Sequence, residues 1–221
     1  MSESETCKRC GNCCQQGGPA LHGPDLELIR ACRLNLDDLI TVRRGELAFH
    51  PICPLPEPVL NEFLKMKGQN GTWCCAFNDQ TTKGCLRYAH RPMACGLLDC
   101  TNTGPLLAIA GQNLLTRFDC ITPDDPMLPL VHEHERLCPC PDLEAINQAL
   151  NQGDNPANLL AELEAAVHSD LVFRSPVAAD FQLSLDRELF YFGRPLFQLL
   201  APLGVQAVNT PTGIRLNLRA R

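Results

Sequence analysis

Cys7-Lys8-Arg9-Cys10-Gly11-Asn12-Cys13-Cys14, followed much later by Cys75, Cys85 and Cys95, is the pattern from which the rest of the chain is read. Two-residue gaps let one tight loop aim several sulfurs at a common point, which is how zinc and iron–sulfur sites are built. Gly11 after the second Cys permits positive φ and turns backbone N–H groups toward sulfur, as in a zinc knuckle. The further thiols of Cys13 and Cys14 bring the loop closer to the tight runs that wrap an iron–sulfur cube. Successive side chains diverge in every regular conformation, so one of Cys13 and Cys14 binds a different iron of a cube, a second metal, or nothing. The run is not that of a ferredoxin, because the fourth Cys and its following Pro are missing.

Composition sets the surroundings of that pattern. Fourteen Cys in 221 residues far exceed ordinary usage, yet a chain of this length needs no disulfide staples for a core. The start, Met1-Ser-Glu-Ser-Glu-Thr, lacks the basic residues and apolar run of a secretory signal, so a reducing, cytoplasmic setting is expected. Clustered Cys act there as ligands or redox groups. No apolar run approaches the roughly 20 residues that cross a bilayer, so a membrane partner is not expected. A formal charge of −6 and a pI near 5.5 argue against broad nucleic-acid binding, which leaves another protein as the expected partner. No glycine-rich dinucleotide loop, P-loop or nucleophile elbow is present, and no residue is assigned a catalytic role.

The patterns predict an α+β protein: a small, irregular, metal-stabilised cysteine-cluster domain over 1–140, then a mainly helical part over 141–221. Beyond Pro141 there is no Cys, and Leu, Ala and Glu recur at helical spacing. Helices are predicted from Asp142, as cap, to Gln152 with Gly153 as the stop, from Asn155 to His168, and from Pro176 to Phe192. Arg194-Pro195 opens a short fourth, and Ile214 to Leu218 alternates like an edge strand. In the first part, helical turns are expected after Pro24 and over Leu36 to Val42, and a weak strand over Gly45 to His50. A hairpin over Gly71–Phe77 and Gly84–Tyr88 would carry Cys75 and Cys85, and a helix opened by Pro92 would lift Cys95 toward them.

With Cys75-x-Phe77, Cys85-x-x-Tyr88 and Arg91-Pro92-x-x-Cys95 added to the opening run, the sequence resembles the YkgJ family of cysteine-cluster proteins, described as zinc- or iron-chelating. Gly96 stands where that family usually has Arg. The resemblance spans about Cys7 to Cys100 and implies Cys7, Cys10, Cys13, Cys14, Cys75, Cys85 and Cys95 as metal ligands. A relative, the flagellin lysine methylase, combines this cysteine pattern with an iron–sulfur cluster.

Two functions follow. The first is a cytosolic protein carrying a cysteine-ligated cluster, a [4Fe–4S] centre for preference, in a redox, sensing or modification-support role. The alternative is a zinc-stabilised protein-interaction module without catalysis. The number of thiols exceeds what one closed tetrahedral zinc site needs, which favours iron. Lys8, Arg9, Arg87 and Arg91 lie beside the ligands in sequence and would offset thiolate charge. Cys32, Cys53, Cys74 and Cys120 read as small buried hydrophobes, and Cys100 lies near enough to join the site. His132, His134, Cys138 and Cys140 are all competent ligands within nine residues, read as a second metal site, as exposed His with a Cys-Pro-Cys turn, or, for Cys138 and Cys140, as completing the first site.

Overall fold

The structure, a computed structural model, describes residues 10–50, 53, 55–69, 71–152, 156–211 and 213–219. Cys7, Lys8, Arg9, Gly153 and Asn155, which carry ligand, charge and helix-boundary expectations, lie outside these residues. The described chain begins with α1 (Asn12–Gln15) and α2 (Leu26–Arg30), followed by β1 (Leu39–Val42), β2 (Leu47–Phe49), β3 (Pro56–Pro58) and β4 (Phe63–Met66). β1 pairs antiparallel with β4, and β2 with β3. Helices follow: α3 (Met93–Leu97), α4 (Gly104–Ile109), α5 (Leu128–Leu137), α6 (Leu143–Gln152), α7 (Pro156–Asp180), α8 (Leu185–Phe192) and α9 (Leu196–Leu200). A hairpin of β5 (Val205–Thr210) and β6 (Gly213–Leu218) completes the α+β class with its helical C-terminal region.

Two cores hold these elements. Leu21, Leu39, Leu64, Met66, Leu115 and Val131 surround Phe190, Tyr191 and Phe192 in the first. Leu143, Ile146, Leu163, Val167, Leu196, Leu199, Val205 and Leu216 form the second. The first core draws on both sides of the compositional change at Pro141, because α8 lies against β1 and the Thr41 hydroxyl donates to the Phe190 carbonyl. All four residues of β1 are buried, which suits its run Leu-Ile-Thr-Val.

Local chemistry explains where elements start and stop, and corrects several expectations. The Asp142 carboxylate accepts from the Ala145 N–H at 2.9 Å, capping α6 as its position suggested. Leu36–Val42 is helical only over Leu36–Asp38, after which the β-branched run takes over as β1. The hairpin expected around Cys75 and Cys85 reduces to isolated bridges, Gly68 with Cys75 and Asn78 with Cys85, set in turns. α7 runs through Pro176 instead of restarting there. The break comes at Gln182, in the left-handed region at φ 51°, and Ser184 then caps α8 by accepting from the Arg187 N–H at 3.1 Å. Pro176 faces solvent, where the carbonyl it leaves unbonded one turn back can be hydrated. Replacing Pro176 by Ala restores that hydrogen bond and is expected to stabilise the chain by about 1–3 kcal/mol. The change would be read as a raised Tm; an unchanged or lower Tm would contradict it.

A buried ionic network joins the helices to the first core. The fully buried Arg117 donates to Glu62 Oε2 at 2.9 Å, to Glu135, and to the Tyr191 carbonyl. The equally buried Arg43 grips Glu135 at 2.7 and 3.0 Å and the Cys138 carbonyl at 2.6 Å. Burial pushes the Glu135 carboxyl up, but the Arg43 and Arg117 guanidinium groups outweigh it and hold the carboxyl below its usual range. Arg174 of α7 ties down the carbonyls of Phe192 and Gly193 at 2.9 and 3.0 Å. Among the described residues no helix is long and apolar enough to cross a membrane.

Candidate metal centre

Gly11 sets the geometry of the first cysteine loop. It precedes α1 in the left-handed region, at φ 76°, and a Cβ there would meet the Lys83 carbonyl oxygen at 2.5 Å. Only glycine allows the loop to lie against the 79–85 turn, so Cys13 and Cys14 on α1 approach Cys85. Replacing Gly11 by Ala is expected to cost about 1–3 kcal/mol and to weaken metal retention together with it. Thermal melting and metal content of the same sample check this; a variant equal to the parent in both would contradict it.

The Cys75 N–H donates to the Cys14 carbonyl at 2.7 Å, which fastens the second cysteine segment to the first. Cys85 follows through backbone bonds of its turn, Asp79 N–H to Gly84 O and Leu86 N–H to Phe77 O, both 2.9 Å. Cys95 lies on α3, with Pro92 at its cap as the sequence suggested; the Met93 N–H is held by the buried Asp25 carboxylate at 2.7 Å.

The thiols so placed sense one another. Burial, then the charges of Cys13, Cys75 and Cys85, push the Cys14 thiol far above its ordinary range. Burial together with Cys75, Cys13 and Cys85 pushes Cys95 up to about 12, against the opposing pull of Arg91. Cys75 is raised by burial first, then by Cys85 and Cys74, with Lys65 acting the other way. Five of the seven expected ligands, Cys13, Cys14, Cys75, Cys85 and Cys95, from four segments, are thus near enough to act on one another's ionisation, while no three of their sulfurs lie within 4.8 Å of one another. Cys10 is exposed at the beginning of the described chain, and Cys7 is outside it.

The residues between the cysteines brace these turns. Arg87 lies over the Phe77 ring at 5.1 Å and Arg91 over the Tyr88 ring at 4.2 Å, which accounts for Phe, Tyr and Arg at those spacings. Lys65 and Arg194 both lie over Trp73, at 5.8 and 5.2 Å, bringing two further cations to the rim.

Cys74 departs from the small-hydrophobe reading. Its sulfur accepts from the Asn78 amide at 3.2 Å and the Gln69 amide at 3.5 Å, so it is a polar acceptor and not a packed apolar group. The repeated Cys-Cys pair, 13–14 and 74–75, was the sequence signal for it. Cys32 also departs: α2 ends at Arg30, and Cys32 is exposed at φ 54° instead of buried on a helix. Cys53 and Cys120 are half-buried, Cys120 against the first core, and Cys100 is exposed. Of the second group, His134 and Cys138 meet, whereas the exposed His132 stacks on Phe118 at 4.9 Å and Cys140 lies beside Gly45.

No curated protein and no solved structure matches the chain. Residues 6–112 match the family described as "CxxCxxCC: Putative zinc- or iron-chelating domain". That segment, just under half of the chain, holds the opening cysteine run, the braced turns and α3 in one piece, and over it the chain is similar to the CxxCxxCC family of zinc- or iron-chelating domains.

Proposed function

We propose that this domain holds a [4Fe–4S] cluster through thiolates drawn from Cys7, Cys10, Cys13, Cys14, Cys75, Cys85 and Cys95, and that it acts on or with another protein in the cytoplasm in a redox, sensing or modification-support role. The observation that supports the reading is that thiols of four segments, Cys13 and Cys14, Cys75, Cys85 and Cys95, are near enough to act on one another's ionisation, with Cys74 next to Cys75. A single tetrahedral zinc is satisfied by four ligands, so this set suits a polynuclear centre better. A bound cluster would supply one-electron transfer. The protein's own part is to hold the thiols, offset their charge with Lys65, Arg91 and neighbouring cations, and donate amide hydrogen bonds at Cys74.

A second reading, a zinc-stabilised interaction module, draws support from the Gly11 turn at φ 76°, the backbone of a metal knuckle. Iron, zinc and acid-labile sulfide measured on protein purified without oxygen, with a visible spectrum, separate the two. About four irons and four sulfides with a brown band that bleaches in air is the expected result. One or two zinc ions, no sulfide and no colour would replace the cluster with a structural chelate.

A further inference from the structure

Outside residues 6–112 lies a second group of ligand-type side chains. His134 of α5 and Cys138, the residue that caps the end of that helix one turn later, lie close to Asp170 of α7. A ring nitrogen of His134, the sulfur of Cys138 and a carboxylate oxygen of Asp170 all lie within 4.8 Å of one another, and all three residues are buried. Asp170 Oδ1 is 2.7 Å from His134 Nε2 and accepts from Arg174 Nε at 2.8 Å, while Oδ2 accepts the Leu196 N–H at 3.0 Å. A carboxylate so bonded to a guanidinium is ionised, so Nε2 carries the ring proton and donates it. Nδ1 is then a bare lone pair, and it is buried without a hydrogen-bond partner on a residue with no exposed surface.

An imidazole held from behind by a carboxylate is how proteins commonly present histidine to a metal. Cys138 adds a soft sulfur donor and also lines a cleft of about 530 Å3 with Leu137, Ser169, Phe173 and Pro176. That cleft provides an entry path and room for a water or small ligand to complete the coordination. The nearest guanidinium groups are already engaged, Arg174 by Asp170 and main-chain carbonyls, Arg43 by Glu135 and the Cys138 carbonyl. An ion bound by Cys138 would displace the thiol proton.

We propose that His134 and Cys138, with Asp170 behind the imidazole, form a second metal site, outside residues 6–112, for a zinc-class divalent ion whose remaining coordination positions are open to the cleft. This assignment is independent of the metal carried by the cysteine cluster.

The test uses the full chain with zinc as the probe. The parent is expected to bind about one zinc per chain more than Cys138→Ala, and equal zinc content in a folded Cys138→Ala protein would overturn the proposal. A residue-resolved measurement on the parent alone covers the case in which the variant does not fold. Zinc is expected to slow alkylation of Cys138 by N-ethylmaleimide about tenfold relative to Cys120, a half-buried thiol outside the site. Equal slowing at both thiols, or none at Cys138, would overturn it.

Discussion

Replacing Cys85 by Ser is expected to abolish metal retention and to loosen residues 71–100 while both cores stay folded. The segment carrying Cys85 has little order of its own: isolated bridges, turns and the five-residue α3. Its coherence therefore depends on the centre that joins its thiols, whereas the cores around Phe190 and Leu199 are closed by packing. Far-UV circular dichroism should keep most of its helical signal, and hydrogen exchange should accelerate selectively over 71–100. Full metal content in the variant, or cooperative loss of the whole fold, would contradict this account. Loading should also release protons and strengthen as pH rises. Burial and neighbouring thiols push Cys95 up to about 12, so protons occupy this thiol at neutral pH and compete with the metal. Proton release measured during anaerobic loading reads that sign directly.

Arg117→Ala is the change expected to damage stability most. The side chain is fully buried and donates to Glu62, Glu135 and the Tyr191 carbonyl. Truncation deprives Glu62 of its guanidinium partner, leaves Glu135 with Arg43 alone and removes a donor from the Tyr191 carbonyl. Glu62 already lies above the usual carboxylate range, because burial outweighs the lowering by Arg117. Glu135 keeps Arg43 and is one-third exposed, so it is the better sheltered of the two. Removing one partner of a buried ion pair costs roughly 3–5 kcal/mol. Equilibrium urea unfolding measures it, and a loss below about 1 kcal/mol would show that water replaces the guanidinium.

The cysteine-rich domain was legible because spacing carries it: residues 6–112 match the zinc- or iron-chelating family that order and gap suggested. The α6 cap and the start of α9 after Pro195 were legible for a similar reason, since each depends on residues within one turn. What stayed hidden is non-local. Nothing near Phe190 announces that it packs under β1, and nothing near Arg117 announces Glu62 or Glu135. Pro176 misled because a proline rule describes local cost, and an exposed position near the helix end lowers that cost. Cys138 and His134 were visible as candidates, but Asp170 lies too far along the chain for spacing to connect it with them.

The placement of α8 against β1 also sets an order of events during synthesis. Thr41 bonds to Phe190, and Arg187 to Asp37 at 2.7 Å, so the strand that follows the cysteine run is covered only by chain made about 150 residues later. At ~5–20 residues per second, the opening thiols emerge many seconds before the core that steadies them can close. During that interval they are open to oxidants and to stray metals. A premature stop before residue 185 would yield a product that lacks α8 and leaves β1 uncovered.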